Sequence, residues 1–407
     1  MNHLKTLTLF CCLFIFGCQN SSTQNSISQA DVSIPKLLDR NEKLWYGKEW
    51  ETTQNAYVHA REAIKVYPTA AEEYLKLAQI FTNEARITGE HGHYYPNALE
   101  VLDKAIIYAE NDDVRFRAMT TKAGVLLSQH EFQQALILGK QAVLLNQYNS
   151  HIYGVLVDAY VELGDYENAV KMADKMISIR PDLRSYARVS YLREIHGDVE
   201  GAKEAMQMAV ESGFPSYEQT AWTQLTLGEL YETYGKTEEA IQVYNNILTI
   251  RENYPFAIAA KANVLMKKGK LEEAEILLQK GIAIIPEVGF YEQLAHIYKK
   301  QNRNEEFDEI IPEIFAMLKD DVDHGHNMNL EYATIYSELL EDQDKALEYV
   351  MKEYQKRPLN IDVNRMLAMI YFEKNNVSQS AKFAKAAERT GSKHPDLINV
   401  KGLLASN

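Results

Sequence analysis

A glycine precedes an alanine by five residues at four regularly spaced places in this chain. The pairs are Gly164–Ala169, Gly197–Ala202, Gly235–Ala240 and Gly269–Ala274. The alanines lie 33, 38 and 34 residues apart. Glycine readily takes the left-handed conformation that ends a helix, and a small alanine five residues later lets two helices cross closely. The spacing therefore predicts a helical hairpin that repeats about every 34 residues.

The alanine position can be followed in both directions, through nine hairpins in all. Its residues are Ala98, Ala135, Ala169, Ala202, Ala240, Ala274, Phe307, Ala346 and Ala381. In three units a proline lies twelve residues later, at Pro181, Pro286 and Pro358. Proline cannot continue a helix, so it is expected to follow the end of the second helix. A degenerate tenth unit, ending at Pro68, is predicted before the other nine.

The segments Ser150–Pro181 and Tyr254–Pro286 show the repeat most clearly, and several units add an aromatic residue nine positions before the alanine. This pattern resembles the tetratricopeptide repeat over nearly all of the chain after residue 36. The resemblance implies an all-α, right-handed superhelical solenoid of about ten hairpins over residues 37–407, with a C-terminal capping helix. It also implies a non-enzymatic scaffold that binds a protein or peptide in a concave groove and needs no cofactor.

The resemblance further implies where a partner would bind. The groove-facing stripe includes the residue that follows the small mid-helix position of each first helix. In this sequence the stripe comprises Gln79, Gly124, Asp158, Tyr191, Glu229, Asn263 and His296. Its mixture of aromatic, amide, imidazole and acidic side chains suits an extended or polar peptide. Ordinary solvated surface is the alternative interpretation of each residue.

The first residues predict export and anchoring. Lys5 precedes an apolar run from Leu7 to Phe16, which is about half of the ~20 residues that a membrane-spanning helix needs, so the run is typical of a signal peptide. The residues Ile15 to Cys18 resemble the bacterial lipoprotein box. That resemblance implies cleavage of residues 1–17, a lipid on Cys18, and a polar, flexible tether over residues 18–36.

The residue after Cys18 is glutamine rather than aspartate, and this favours the outer membrane of a bacterial cell envelope. An ordinary secretory signal, with Cys18 incidental, is the alternative.

Composition excludes several other functions. The formal net charge of −14 argues against a nucleic-acid partner, because an acidic surface repels phosphates. The three cysteines are Cys11, Cys12 and Cys18, so the repeats can hold neither a disulfide nor a cysteine zinc site. Paired glutamates, as at 238–239 and 272–273, recur just before the repeated alanine. There they favour the start of the second helix rather than acid–base catalysis.

Two His-Gly-His motifs are candidate metal ligands, one at His91 and His93 and the other at His324 and His326. Both lie where the repeat is longer than usual, so we expect inserted loops. In an extended loop, residues two apart face the same side, and imidazole suits zinc, copper or nickel. Each motif alone is an incomplete site. We expect the two to lie about seven repeats apart in a rod-like array and not to share an ion.

The two resemblances together imply a membrane-anchored scaffold for cell-envelope assembly or complex formation. A metal-handling lipoprotein that uses the histidine motifs is one alternative. A glycan-binding lipoprotein is another, although the repeats leave no room for a separate sugar-binding portion. The identity of the partner and the oligomeric state stay open.

Overall fold

Helices form almost all of the regular structure in this computed structural model, which describes residues 33–406 and contains no strand within them. The helices are α1 (Glu49–Val66), α2 (Ala71–Thr88), α3 (His91–Tyr108), α4 (Asp112–Ser128), α5 (Phe132–Leu145), α6 (Ser150–Glu162), α7 (Tyr166–Ile179), α8 (Leu183–Ile195), α9 (Val199–Glu211), α10 (Glu218–Thr233), α11 (Thr237–Ile250), α12 (Pro255–Lys267), α13 (Leu271–Ile282), α14 (Val288–Lys300), α15 (Asn304–Asp323), α16 (Asn329–Thr334), α17 (Gln343–Lys356), α18 (Ile361–Glu373), α19 (Val377–Ala387) and α20 (Pro395–Ala405). A single π-helical turn, Ile335–Leu339, continues α16.

Successive helices pack as antiparallel pairs, from α2–α3 through α18–α19, which gives nine hairpins in the described residues. Helix α20 packs on α18 and α19, where the sequence predicts a capping helix. The tenth hairpin is incomplete. Helix α1 corresponds to its second helix, but residues 35–48 contain only a short 3₁₀ turn, Glu42–Leu44. The expectation of about ten hairpins agrees with these 20 helices, which form nine hairpins, the additional helix α1 and the capping helix α20.

The repeated small residues occupy the predicted crossings. Seven of the nine, all alanines, have no exposed surface: Ala98, Ala135, Ala169, Ala202, Ala240, Ala274 and Ala346. The four glycines that introduced the pattern have φ between 75° and 78°, as the helix-ending role requires.

The last repeated position is wrong by one residue. Ser380 is fully buried in the crossing, and its hydroxyl donates to the carbonyl oxygen of Ala368 at 2.7 Å. Ala381 is exposed. The turn begins at Asn375, which has φ 55° and lies five residues before Ser380. The small hydroxyl therefore takes the place of the methyl group that the sequence pattern assigns to Ala381.

The two predicted inserted loops are instead helix extensions, so that expectation is corrected. Helices α2 and α3 each have 18 residues and α15 has 20, whereas α5, α7 and α11 each have 14. The additional residues continue the backbone hydrogen bonding of the hairpin rather than leaving it. The lengthened ends of α3 and α15 reach far enough to contact each other.

Hydrogen bonds join residues about 195 positions apart at several points. His130 Nδ1 donates to the Asn327 carbonyl at 2.8 Å, across 197 residues of sequence. The Ile361 backbone N–H donates to the Tyr166 hydroxyl at 2.8 Å, across 195 residues. A constant offset means that one superhelical turn contains about 195 residues, or roughly six hairpins, and that the next turn lies directly against it. The expectation of a rod whose distant repeats stay apart is wrong.

We call this line of contact between successive superhelical turns the seam. On one side of the seam lie the turns between the two helices of an early hairpin. On the other side lie the connections between successive later hairpins. Its centre is apolar as well as hydrogen-bonded, because Ile361 is 3% exposed and packs with Val157, Val161 and Tyr166. The seam therefore has its own small hydrophobic core, which stabilises the closed arrangement.

Glycines allow the closest approach at the seam. A Cβ atom added to Gly164 would lie 2.4 Å from the Leu359 carbonyl, and one added to Gly197 would lie 2.3 Å from the Gly391 oxygen. By contrast, a Cβ atom added to Gly235 would meet no atom within 4 Å. The glycines at Gly164 and Gly197 thus serve both the local turn and the contact with the next superhelical turn.

Candidate functional site

The inner faces of the early hairpins surround a cavity of about 830 Å³, which we call the inner cavity. Helices α8 and α10 contribute much of its wall. On α8 the lining residues Arg184, Arg188 and Tyr191 are spaced by four and three positions, so they share one face of the helix. On α10 Trp222 and Glu229 are two turns apart and also share a face.

The structure brings three residues of the predicted binding stripe together in this cavity: Asp158, Tyr191 and Glu229. Asp158 has a structural partner there. Arg188 Nε donates to Asp158 Oδ1 at 2.8 Å and to the Gly154 carbonyl oxygen at 3.1 Å. This contact joins α6 to α8 and fixes one wall of the cavity.

The other predicted stripe residues do not line the inner cavity. Asn263 Nδ2 donates to Glu232 Oε1 at 2.8 Å, and His296 Nε2 lies 3.6 Å from Glu338 Oε2. Gln79 is exposed on α2, and a Cβ atom added to Gly124 would meet nothing within 4 Å. These four positions lie outside the inner cavity. The stripe predicted from the sequence is therefore not one continuous surface in the structure.

One arginine and three glutamates of the cavity wall have no ion-pair partner among residues 33–406: Arg184, Glu194, Glu229 and Glu287. Burial and the neighbouring Glu232 raise the pKa of Glu229 to about 7. Burial lowers the pKa of Arg184, although arginine stays charged at physiological pH. Burial, followed by Asp321, raises the pKa of Glu287 to about 7 as well. The cavity therefore offers one arginine without an ion pair and two carboxyl groups, Glu229 and Glu287, that are close to their protonation midpoints.

Two aromatic side chains remain partly exposed beside these charges. Trp222 is 46% exposed, and its ring meets that of Phe256 edge to face, with centroids 5.4 Å apart. Tyr191 is 37% exposed, and burial of its hydroxyl raises its pKa. Sequence reasoning missed Trp222 and Arg184. The signal was present for Trp222, since it lies seven residues before Glu229 on the same helix face.

The first histidine motif is helical rather than extended, which corrects the prediction that its two rings face one side. Residues two apart in a helix point about 200° apart, so His91 and His93 diverge. His93 Nε2 donates to the Lys36 carbonyl oxygen at 2.9 Å. His91 instead stacks on Tyr95, with ring centroids 5.2 Å apart and an interplanar angle of 15°.

The second motif divides in the same way. His324 ends α15, and its Nδ1 donates to the Asp320 carbonyl oxygen at 2.7 Å. His326 is only 7% exposed, and its ring centroid lies 6.0 Å from that of His91. The expectation that the two motifs stay apart is therefore wrong, because the seam brings the lengthened helices α3 and α15 together.

The residues His91, Asp321 and His326 form what we call the histidine cluster. One potential ligand atom from each lies within 4.8 Å of the other two. Burial, followed by neighbouring histidines, lowers the pKa of both His91 and His326 to about 4, so both rings are neutral at pH 7. Burial, followed by Asp320, raises the pKa of Asp321 to about 6. Asp321 was not predicted from the sequence.

The signal peptide, Cys18 and residues 19–32 of the tether lie outside the described residues. The structure does describe residues 33–36, the end of the predicted tether, and these residues contact the helices. The Tyr57 hydroxyl donates to the Pro35 carbonyl oxygen at 2.9 Å, and Lys36 accepts from His93 as given above. Among the helices of residues 33–406, none combines the length and apolarity needed to cross a membrane.

Comparison with known families identifies two segments of the chain. The tetratricopeptide repeat profile matches residues 150–183 and 223–254. These two segments are tetratricopeptide repeats. The tetratricopeptide hairpin of residues 150–183 supplies Asp158 to the inner cavity, and the match at 223–254 begins within α10.

One similar protein is named for its tetratricopeptide repeats, and two solved structures are also similar to this chain. The TPR repeat-containing protein YpiA of Bacillus subtilis (strain 168) is 24% identical over 208 residues, which are 51% of this chain and 48% of that protein. The chain thus matches about half the length of this relative. The Cut9–Hcn1 hetero-tetramer of the APC/C is 13% identical, with a TM-score of 0.49 over 89% of this chain and 61% of that one. A human IFIT1 dimer with PPP-AAAA is 9% identical, with a TM-score of 0.46 over 84% and 86%.

Proposed function

We propose that this chain is a non-enzymatic scaffold that holds an extended segment of a partner protein in the inner cavity. The observation that carries the proposal is the position of Tyr191 and Trp222. Both are large aromatic side chains left partly exposed where they line the inner cavity. Aromatic residues in such positions are characteristic anchors of protein interfaces.

The cavity wall indicates the chemistry of the bound segment. An apolar or aromatic side chain fits between Tyr191 and Trp222, and a carboxylate of the partner would pair with Arg184. Glu229 would accept a hydrogen bond from the segment. The hairpins are ordered before binding, so little conformational entropy is lost when the partner docks.

The same proposal includes anchoring to the cell envelope through a lipid on Cys18, with the outer membrane as the expected location. It is supported by the short apolar run and by the residues that precede Cys18. A scaffold tethered in this way acts on other envelope proteins and promotes their assembly. The net charge of −14 supports a protein partner rather than a nucleic acid.

Affinity capture from cells that express the full chain tests both parts of this proposal. The natural chain should recover a defined set of envelope proteins, and a Tyr191→Ala/Trp222→Ala variant should lose at least about tenfold of that recovery, since aromatic anchors contribute 2 kcal/mol or more. Tyr148→Ala is the matched control, because Tyr148 is 76% exposed and lies outside the cavity. A Cys18→Ser variant should leave the membrane fraction.

Two results would contradict the proposal. Equal recovery by the natural chain and the cavity variant would show that the inner cavity does not bind the partner. Retention of the Cys18→Ser protein in the membrane fraction would show that a lipid on that cysteine is not the anchor.

A further inference from the structure

The histidine cluster contains a buried polar side chain with unsatisfied hydrogen-bonding groups. Neither ring nitrogen of His326 has a hydrogen-bond partner among the described residues, although the side chain is only 5% exposed. Its Nδ1 lies 4.0 Å from Asp321 Oδ1, which is too far for a hydrogen bond. Leaving a buried polar group unpaired is unfavourable, so the arrangement calls for a further partner.

The backbone on both sides holds His326 in this position. Its N–H donates to the Asp321 carbonyl oxygen at 3.0 Å, and the next N–H, of Asn327, donates to the Gln129 carbonyl oxygen at 3.1 Å. The opposite ring, His91, is fixed by its stacking on Tyr95. His91 lies on α3 and Asp321 on α15, and His326 lies in the connection after α15, where these two backbone hydrogen bonds hold it in place.

The donor set matches a particular class of metal ion. Two neutral imidazoles and one carboxylate are ligands for zinc and related transition metals, whereas magnesium and calcium prefer oxygen ligands. Ligand atoms around tetrahedral zinc are about 3.3 Å apart, given bonds of about 2.0–2.1 Å. The separations within 4.8 Å thus need to close by only about 1.5 Å, which side-chain rotation can supply.

We propose that His91, Asp321 and His326 bind one zinc-class divalent ion that clamps two superhelical turns together. The two histidines are separated by 235 residues of sequence, so an ion held by both would join α3 to the segment after α15. His91 also lines the inner cavity, which places the site beside the peptide-binding wall. The fourth coordination position is taken by water. The clamp does not depend on whether the cavity binds a peptide.

Calorimetric titration of the full, chelator-treated chain with ZnCl₂ tests this inference. The natural chain should bind one equivalent, and zinc should raise its melting temperature because an ion that binds only the folded state stabilises it. Asp321→Asn and His91→Ala should each weaken zinc binding by at least about tenfold. Cobalt added in place of zinc should give the visible absorption of a tetrahedral site, which the same substitutions abolish.

The two other histidines provide a matched control. His93→Ala and His324→Ala each remove the imidazole of a His-Gly-His motif that is not part of the histidine cluster. Both of these rings donate to backbone carbonyl oxygens, so both variants should bind zinc like the natural chain. Far-UV circular dichroism confirms that each variant is folded. Absence of zinc binding by the natural chain would overturn the inference. So would loss of binding in the His93→Ala or His324→Ala variant with retention in Asp321→Asn.

Discussion

Replacing Arg40 by methionine is expected to lower the free energy of unfolding by about 3–5 kcal/mol, the usual effect of breaking a buried ion pair. Arg40 Nε donates to Glu84 Oε2 at 3.1 Å, and both side chains are only 1% exposed. The guanidinium also lies over the Trp50 ring, 5.0 Å from its centroid. Methionine fills much of the same volume but leaves the Glu84 carboxylate buried without a cation.

Denaturant unfolding of the full chain measures this effect, and two further variants show whether charge or packing causes it. An Arg40→Met/Glu84→Leu double variant should recover most of the lost stability, because no uncompensated charge then remains. Lys104→Met removes an exposed pair with Glu100 and should change stability by less than about 1 kcal/mol. A double variant as unstable as Arg40→Met would show that packing, rather than charge, is the cause.

The Arg40→Met deficit should also depend on pH. Burial raises the pKa of Glu84 above its ordinary value, and Arg40 opposes that rise. Without Arg40 the folded-state pKa rises further above the unfolded value. Stability is then lost as pH increases through the folded pKa and is restored below the unfolded one. The deficit should therefore shrink as the pH is lowered from 8 toward 4, and a deficit that grows would contradict this explanation.

Gly164→Ala should be markedly more destabilising than Gly235→Ala, although both glycines have nearly the same backbone conformation. Their φ values are 78° and 76°, so alanine costs each about 1–2 kcal/mol of local strain. At Gly164 the added methyl group would also lie 2.4 Å from the Leu359 carbonyl and would push the seam apart. Overpacking of this kind adds about 1–3 kcal/mol.

The comparison between these two variants isolates the seam from the turn. Denaturant unfolding should show the difference in stability, and hydrogen exchange should be faster at the Ile361 amide in Gly164→Ala only. That amide bonds to Tyr166 across the seam. Equal destabilisation by the two variants, with unchanged protection of Ile361, would mean that the superhelical turns do not touch at Gly164.

The hairpins could be predicted from the sequence because their determinants are local. A glycine that must adopt positive φ and an alanine that must fit a helix crossing act within a few residues of each other, and seven of the nine predicted positions are fully buried alanines. The error at Ala381 arose because Ser380 is equally small and buries its hydroxyl through a hydrogen bond. A sequence pattern that expects alanine at the crossing does not identify a serine in the same position.

The histidine cluster could not be predicted in the same way. Gly92 and Pro96 are typical of a loop, yet the helix α3 begins at His91 and runs through both. Gly92 packs closely against a distant part of the sequence, since a Cβ atom there would lie 3.0 Å from His324 Nδ1. The inner cavity was predicted only in part for a related reason. The curvature that selects Asp158, Tyr191 and Glu229 arises from the packing of whole hairpins, which no single repeat encodes.

Photo-crosslinking at position 166 tests the closed superhelix most directly. Benzoylphenylalanine in place of Tyr166 should crosslink to residues 359–363 of the full chain, which lie about 195 positions away, and mass spectrometry identifies the attachment. Position 234 is the control, because the Tyr234 hydroxyl bonds to Glu194 in the neighbouring hairpin at 3.2 Å and should crosslink there. Crosslinks from position 166 confined to its own and adjacent hairpins would contradict the contact between superhelical turns.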